Sequence, residues 1–298
     1  MTLGIELPLD NDFAHRRETP GVPDLAEHRS RAALAAALGF RTIWLRDVPL
    51  WPPRTFGDAG LVFDPIAYLG YLAAATENAL LGTAAIALPL RNPILLAKEA
   101  ATIDALSGGR LLLGVASGDR PIEYPLFGVD FDTRAEAYRR AVQAMRGIWE
   151  HAAMAPDSQD KVLPAPVDGT IPLIAVGRGG QSTEWAAEHM DAYMTYPRPC
   201  DAMRGVVFEW DCATPGTRKP VITTTLVDLA ENPDAPAEPI RFGLRGGRNR
   251  LGDHLRGLRD TGVAHVALNL RPSRRPIDDV PHEIAEHVLP EFDERSRG

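Results

Sequence analysis

Apolar positions along this chain follow two alternating patterns. Stretches in which they recur every three or four residues end in glycine, and a short, almost wholly apolar run follows. Gly39 precedes Thr42-Ile43-Trp44-Leu45, Gly108-Gly109 precede Leu111-Leu112-Leu113-Gly114-Val115-Ala116, and Gly262 precedes residues 263–270. Glycine takes the left-handed conformation that closes a helix. A run that is apolar throughout reads as a strand buried on both faces, hence parallel. Eight such runs occur, at 3–7, 42–45, 80–87, 111–116, 173–176, 192–196, 220–227 and 263–270.

The helices between them announce their starts. Asp24 with Glu27 opens a helix over 25–38, and Thr133 with Glu136 forms a capping box for 134–150. Asp64-Pro65 and Asn92-Pro93 each place a capping side chain before a proline in the first turn. Leu96, Ala100, Ile103 and Leu106 keep helical spacing on one buried face.

Eight parallel strands alternating with helices close into a (β/α)8 TIM barrel, usually about 250 residues plus insertions. An open doubly wound sheet competes, but no glycine-rich dinucleotide fingerprint follows the first strand. Residues 1–298 read as a single domain. The connections 46–63 and 117–133 leave the carboxyl ends of strands two and four, and are inserted loops at the C-terminal face. Trp51-Pro52-Pro53 stiffens the first. The segment 151–171 follows a helix and is a plain connector on the opposite face, and 228–245 is irregular.

Composition changes this picture little. Gly and Pro number 26 each in 298 residues, about 17 % against roughly 12 % on average, which asks for many turns. A formal charge of −8 argues against a nucleic-acid surface, which needs a basic face. Two cysteines, Cys200 and Cys212, make neither a disulfide framework nor a zinc site. They suit a reducing cytoplasm. No signal peptide shows at residues 1–8, and the apolar stretch 78–90 is too short to span a bilayer.

Three strand ends carry candidate chemistry. Strand three ends in Ala84-Ala85-Ile86, small enough for a flat ligand to lie on the backbone, although tight helix packing favours alanine equally. After strand four, Ser117-Gly118 offers amides and a hydroxyl. Asp119, Arg120 and Tyr124 follow, with Arg120 either binding an anion or pairing with Glu123, and Tyr124 able to stack on a ring. After strand five, Gly177-Arg178-Gly179-Gly180-Gln181-Ser182 presents free amides before a helix, a phosphate-type site. Gly246-Gly247-Arg248-Asn249-Arg250 after strand seven is an equal candidate, and the sequence does not choose between them. The eight histidines are scattered without metal spacing, and His265 in strand eight reads as a satisfied core residue.

Several of these segments together resemble the bacterial luciferase-like flavin monooxygenase superfamily. Gly82-Thr83-Ala84-Ala85-Ile86 is similar to its third strand, and Leu106-Ser107-Gly108-Gly109-Arg110 to its signature before strand four. Phe127-Gly128 and Thr183-Glu184-Trp185-Ala186-Ala187 also have counterparts there, in the same order.

The resemblance implies a barrel that binds FMN, or in some branches the deazaflavin F420, at the C-terminal face. It implies a non-proline cis peptide at Ala84-Ala85 under the flavin ring, and phosphate binding by Arg178-Gly179. Ser117 stands where luciferase has a phosphate-binding arginine, so Arg178 is expected to supply that charge, with Arg120 in reserve. Asp47, after Arg46, stands where luciferase has a catalytic histidine. An aspartate with an ordinary pKa near 4 is a poor base, so aldehyde chemistry is not carried over. Arg46 and Asp47 are candidate catalytic residues, or only brace the loop.

The implied activity is a monooxygenase using reduced FMN and O2 on a small organic substrate. The implied partners are a separate NAD(P)H flavin reductase and a second copy of the chain in a homodimer. An F420-dependent dehydrogenase and a non-catalytic flavin-binding protein are the alternatives. A phosphosugar enzyme is favoured only if phosphate sits at 246–250.

Overall fold

The computed structural model describes residues 1–9, 27–50, 63–151 and 161–292. Asp24, Trp51-Pro52-Pro53 and residues 152–160 of the 151–171 connector lie outside the described residues.

The barrel strands are β1 (Thr2–Glu6), β2 (Thr42–Leu45), β3 (Leu80–Thr83) with its continuation β4 (Ile86–Ala87), and β5 (Leu111–Ala116). After these come β6 (Leu173–Val176), β7 (Ala192–Thr195) and β8 (Val221–Leu229). Two further strands, β9 (Glu238–Ile240) and β10 (Gly243–Gly246), precede the last barrel strand, β11 (His265–Asn269). Parallel pairing runs from β1 through β2, β3, β5, β6, β7 and β8 to β11, and β11 pairs back onto β1, closing an eight-stranded ring.

Helices wrap it: α1 (His28–Ala37), α2 (Pro65–Ala75), α3 (Pro93–Ser107), α4 (Arg134–His151) and α5 (Thr183–His189). They continue with α6 (Cys200–Ala213), α7 (Arg248–Asp260), α8 (Asp279–His287) and α9 (Leu289–Phe292). Among the described residues, no helix is long and apolar enough to cross a membrane.

Two of the expected caps form. Asp64 Oδ1 accepts the N–H groups of Ile66 and Ala67 at 3.0 and 3.1 Å, and Asn92 Oδ1 those of Ile94 and Leu95 at 3.0 and 3.2 Å. The Asp24 cap lies outside the described residues, and α1 is described from His28. One cap does not form. Thr133 sits in a 3-10 turn and donates its hydroxyl to Asp130 O instead of capping α4.

The signature Ser107-Gly108-Gly109-Arg110 is scaffold. Gly108 and Gly109 have φ of 70° and 80° and end α3. The Arg110 guanidinium then donates to Ser107 O, Thr76 Oγ1, Ala79 O, Ala73 O and Thr76 O at 2.7–3.1 Å. All five of its donors are used, tying the ends of α2 and α3 to the start of β3.

Inside the ring, Trp44, Ile174, Ala192, Met194, Ile222 and Ala267 form a separate apolar cluster. Trp44 fits because its neighbours are glycines. A Cβ on Gly82 would lie 2.5 Å from the indole, and one on Gly4 2.9 Å from Nε1. The indole N–H donates to His265 Nε2 at 3.0 Å, and His265 Nδ1 lies 2.8 Å from Thr2 Oγ1. An Nε2 that accepts leaves the imidazole proton on Nδ1, facing Thr2. Burial, with Arg41 and the chain's amino terminus adding to it, holds the His265 pKa down at about 3. His265 is a satisfied neutral core residue.

The segment expected to be irregular, 228–245, is partly strand. β8 runs past the ring to Leu229, where it pairs in parallel with β10, and β9 returns antiparallel on β10.

Candidate active site

Side chains alternate along each barrel strand, so the inward series can be followed to the C-terminal rim. Gly4 is followed inward by Glu6, Trp44 by Arg46, Gly82 by Ala84, Gly114 by Ala116, Met194 by Tyr196 and Ala267 by Asn269. The upper layer therefore has a small-residue side on strands three and four of the ring, and a polar side on the strands around β1.

On the polar side, Glu6 is buried and Arg46 Nε lies 2.8 Å from its Oε1. Burial pushes the Glu6 carboxyl above its ordinary range, against the opposing pull of Arg46 and a hydrogen bond from Asn269. Tyr196 shares this neighbourhood, since the charges of Asp119, Arg46, Glu6 and Arg120 all act on its phenol.

The small-residue side is shaped by a bulge. Gly82 pairs with Leu112 and Ile86 with Val115, so four steps along strand three face three along β5. The Ala84-Ala85 peptide within it is cis. Thr83 Oγ1 donates to Gly114 O at 2.7 Å, and a Cβ on Gly114 would lie 1.8 Å from Thr83 O. Only glycine fits opposite the bulge. Ala84, Ala85, Ala116, Ser117 and Gly118 are each partly open. The Ile86 side chain is buried in the strand–helix layer, so only its main chain is left for the mouth.

The Tyr124 ring does not open onto the mouth. It is wholly buried, packs edge-on to Phe131 at 4.9 Å and hydrogen-bonds to Ser117 O, fixing the Ser117-Gly118 turn from behind. Arg120 lies 3.8 Å from Glu123 and donates to Leu50 O at 3.2 Å. The Leu50 N–H in turn bonds Glu123, a carboxyl whose pKa is raised, chiefly by burial. The loops after strands two and four thus grip one another at Leu50.

Arg46 and Asp47 belong to different ion pairs. Asp47, 2 % exposed, takes Arg91 Nε and Nη2 at 3.1 and 2.9 Å and the Ala87 N–H at 3.3 Å. Arg91 also reaches Asp64 Oδ2 at 2.9 Å. Two carboxylates hold this guanidinium firmly charged although burial opposes it. A carboxylate with both oxygens occupied by a cation is a brace, so the structure speaks against Asp47 as a general base.

The two glycine-rich turns part company. Gly177, Gly179 and Gly180 have φ of 66°, 58° and 77°, and Gly177 faces open space. Gln181 is buried and braces this turn, donating to Ala135 O and Gly179 O while accepting from Arg139 Nε. Ser182 caps α5 through the Trp185 N–H at 3.2 Å. Arg178 is half-exposed, with Nη1 2.8 Å from Thr183 Oγ1 and 3.1 Å from Glu209.

At the other turn, Asn249 N–H donates to Pro233 O at 3.1 Å and Gly247 N–H to Ala235 O at 3.0 Å. A Cβ on Gly247 would lie 2.1 Å from Pro233 O. Arg248 is paired with Glu283 at 2.9 Å. The chain fills its own anion site here, which removes the ground for a phosphosugar reading.

Sequence reasoning missed Glu6, Arg91, Tyr196, Phe242 and Asn269. Glu6 and Asn269 had a signal, a polar residue inside an otherwise apolar buried run.

The family model described as luciferase-like monooxygenase matches residues 1–261. An uncharacterised protein of Mycobacterium tuberculosis is 30 % identical over 234 residues, which span 72 % of this chain and 83 % of that protein. A monooxygenase of Streptomyces bottropensis has a similar structure, with a TM-score of 0.79 at 19 % identity over 98 % of this chain and 100 % of that one. An F420-dependent secondary alcohol dehydrogenase gives 0.78 at 16 % identity over 98 % and 99 %.

Proposed function

The chain belongs to the luciferase-like monooxygenase family, and from that premise we propose that it is a flavin-dependent oxidoreductase, a monooxygenase using reduced FMN and O2. Its substrate is a small organic molecule.

The reading is carried by the bulge at Ala84-Ala85 beside Gly114 and Ala116. These residues fit a flat tricyclic group, because they give one side of the mouth a wall without large side chains. Ala84, Ala85 and the Ile86 main chain would back the ring, with Ser117 and Gly118 along its edge. The Gly177–Gly180 amides would hold the phosphate, with Gln181 fixing the turn and Ser182 at the helix start. Arg178 would supply the charge after leaving Glu209, and Arg139 stands alongside at Gln181. When bound, reduced flavin supplies the electrons with which O2 is activated. The buried Glu6–Arg46 pair orients polar groups of the substrate, and the joined loops at Leu50 exclude water.

Fluorescence titration with FMN, FMNH2 and F420, followed by oxygen uptake with an NAD(P)H flavin reductase, tests this. FMNH2 binding with substrate-stimulated oxygen uptake is expected. F420 binding with oxygen-independent turnover would replace the reading by a dehydrogenase, and FMN binding without any turnover by a flavin carrier. Arg178→Ala weakens FMN at least tenfold, about 1.4 kcal/mol, and Glu209→Gln tightens it.

A further inference from the structure

The mouth has a second surface that the flavin reading does not use. Along β7, Ala192 and Met194 enter the inner apolar cluster, and Tyr196 continues their alternation onto the rim. The β9–β10 hairpin brings a second ring to meet it. Its turn residues are Arg241 and Phe242, and the Phe242 ring stacks on Tyr196 with centroids 4.9 Å apart and planes at 17°. Arg241 lies 5.0 Å from the Phe242 centroid.

The hairpin tip is pinned. Leu226 N–H donates to Phe242 O at 3.0 Å, and a Cβ on Gly243 would lie 1.8 Å from Leu226 O. Phe242 has φ of 59°, a left-handed conformation that favours glycine and that no other non-glycine among the described residues adopts. Yet the rings it brings together are not buried. Tyr196 is 60 % and Phe242 38 % exposed. A turn that holds phenylalanine where glycine is easier, without burying it, calls for a use of the ring itself. Tyr196 is the more open ring, so Phe242 backs it and Tyr196 presents the plate.

We propose that Tyr196, backed by Phe242, is the substrate-recognition plate of the mouth, and that it takes a planar aromatic molecule. This rests on the oxidoreductase reading and narrows its substrate class.

The probe pair is 2-naphthol and its saturated analogue decahydro-2-naphthol, titrated calorimetrically onto the protein with and without FMN. Naphthol is expected to bind at least tenfold more tightly than the saturated alcohol. Tyr196→Ala abolishes that preference and Tyr196→Phe keeps it. Phe242→Gly relieves the backbone, so it leaves Tm unchanged or raised while weakening naphthol severalfold. Equal affinity for both probes, or binding of neither, overturns the proposal. So does a Phe242→Gly variant that loses Tm but keeps naphthol affinity, since the ring would then serve only the hairpin. Naphthol preference in a protein that binds no flavin defeats the flavin reading alone. Flavin binding without ring preference defeats the plate alone.

Discussion

Replacing Arg91 by leucine isolates what the Asp47 brace contributes. The carboxylate is 2 % exposed and the guanidinium 22 %, and two N–H···O contacts of 3.1 and 2.9 Å join them. Among the described residues, truncating the cation leaves Asp47 buried with only the Ala87 N–H, at 3.3 Å. Breaking a buried pair from one side costs about 3–5 kcal/mol, most of it the penalty on the stranded charge. The second partner, Asp64, is half-exposed and adds little. For a chain of 298 residues, an unfolding entropy near 2.1 cal/mol/K per residue converts this into roughly 5–8 °C of Tm. Scanning calorimetry and urea denaturation at pH 7 read it directly. Asp47→Asn in the Arg91→Leu background removes the stranded charge, so the double variant recovers part of the loss. A double-mutant cycle then gives a coupling above about 2 kcal/mol. A Tm drop under about 1 °C, or additive single effects, would refute the brace and return Asp47 to the list of candidate bases.

Other perturbations follow from the same contacts. His265 stays neutral in the fold to about pH 3, whereas the unfolded imidazole protonates near 6.5. The unfolded state therefore binds more protons in that window, and stability falls by about 1.4 kcal/mol per unit as pH drops below 6.5. His265→Asn, which keeps an acceptor for Trp44, flattens that part of the profile; parallel profiles would contradict the assignment. Gly114→Ala places a methyl against Thr83 O and destabilises by about 3 kcal/mol or more, if it folds at all. Gly70→Ala, with open space inside α2, stabilises by up to about 1 kcal/mol, and thermal melts of the two should move in opposite directions. Arg110→Lys keeps the charge but loses the planar fork and most of five bonds, lowering stability by about 2–4 kcal/mol in urea titrations.

The ring of strands was legible because each strand is buried on both faces and therefore apolar throughout, and because glycines close the helices between them. The split of strand three was not, since Leu80 to Ala87 is apolar across the bulge. The β9–β10 hairpin was hidden too, because Pro and exposed charges dominate 230–241 and its pairing is on a strand that outruns the barrel. At the site, small residues and glycine turns could be located from the sequence, but ion-pair partners could not. Arg46 looked like the natural neighbour of Asp47, yet successive residues on a strand face opposite ways. Glu6 and Arg91, forty or more positions away, took the two roles. Tyr124 and Gln181 sit in the right turns, but support them from behind.

The Trp44 plug has a consequence for traffic through the molecule. With the indole wedged between Gly4 and Gly82 and pinned to His265, the barrel interior at this level is filled by side chains. A molecule bound at the carboxyl-end rim therefore does not pass through at the level of the indole. On the proposed function, a flavin lying against Ala84 and Ala116 would rest above that floor, and a substrate over it would cover it. A flavin-first order of binding is therefore the expected outcome of product-inhibition kinetics.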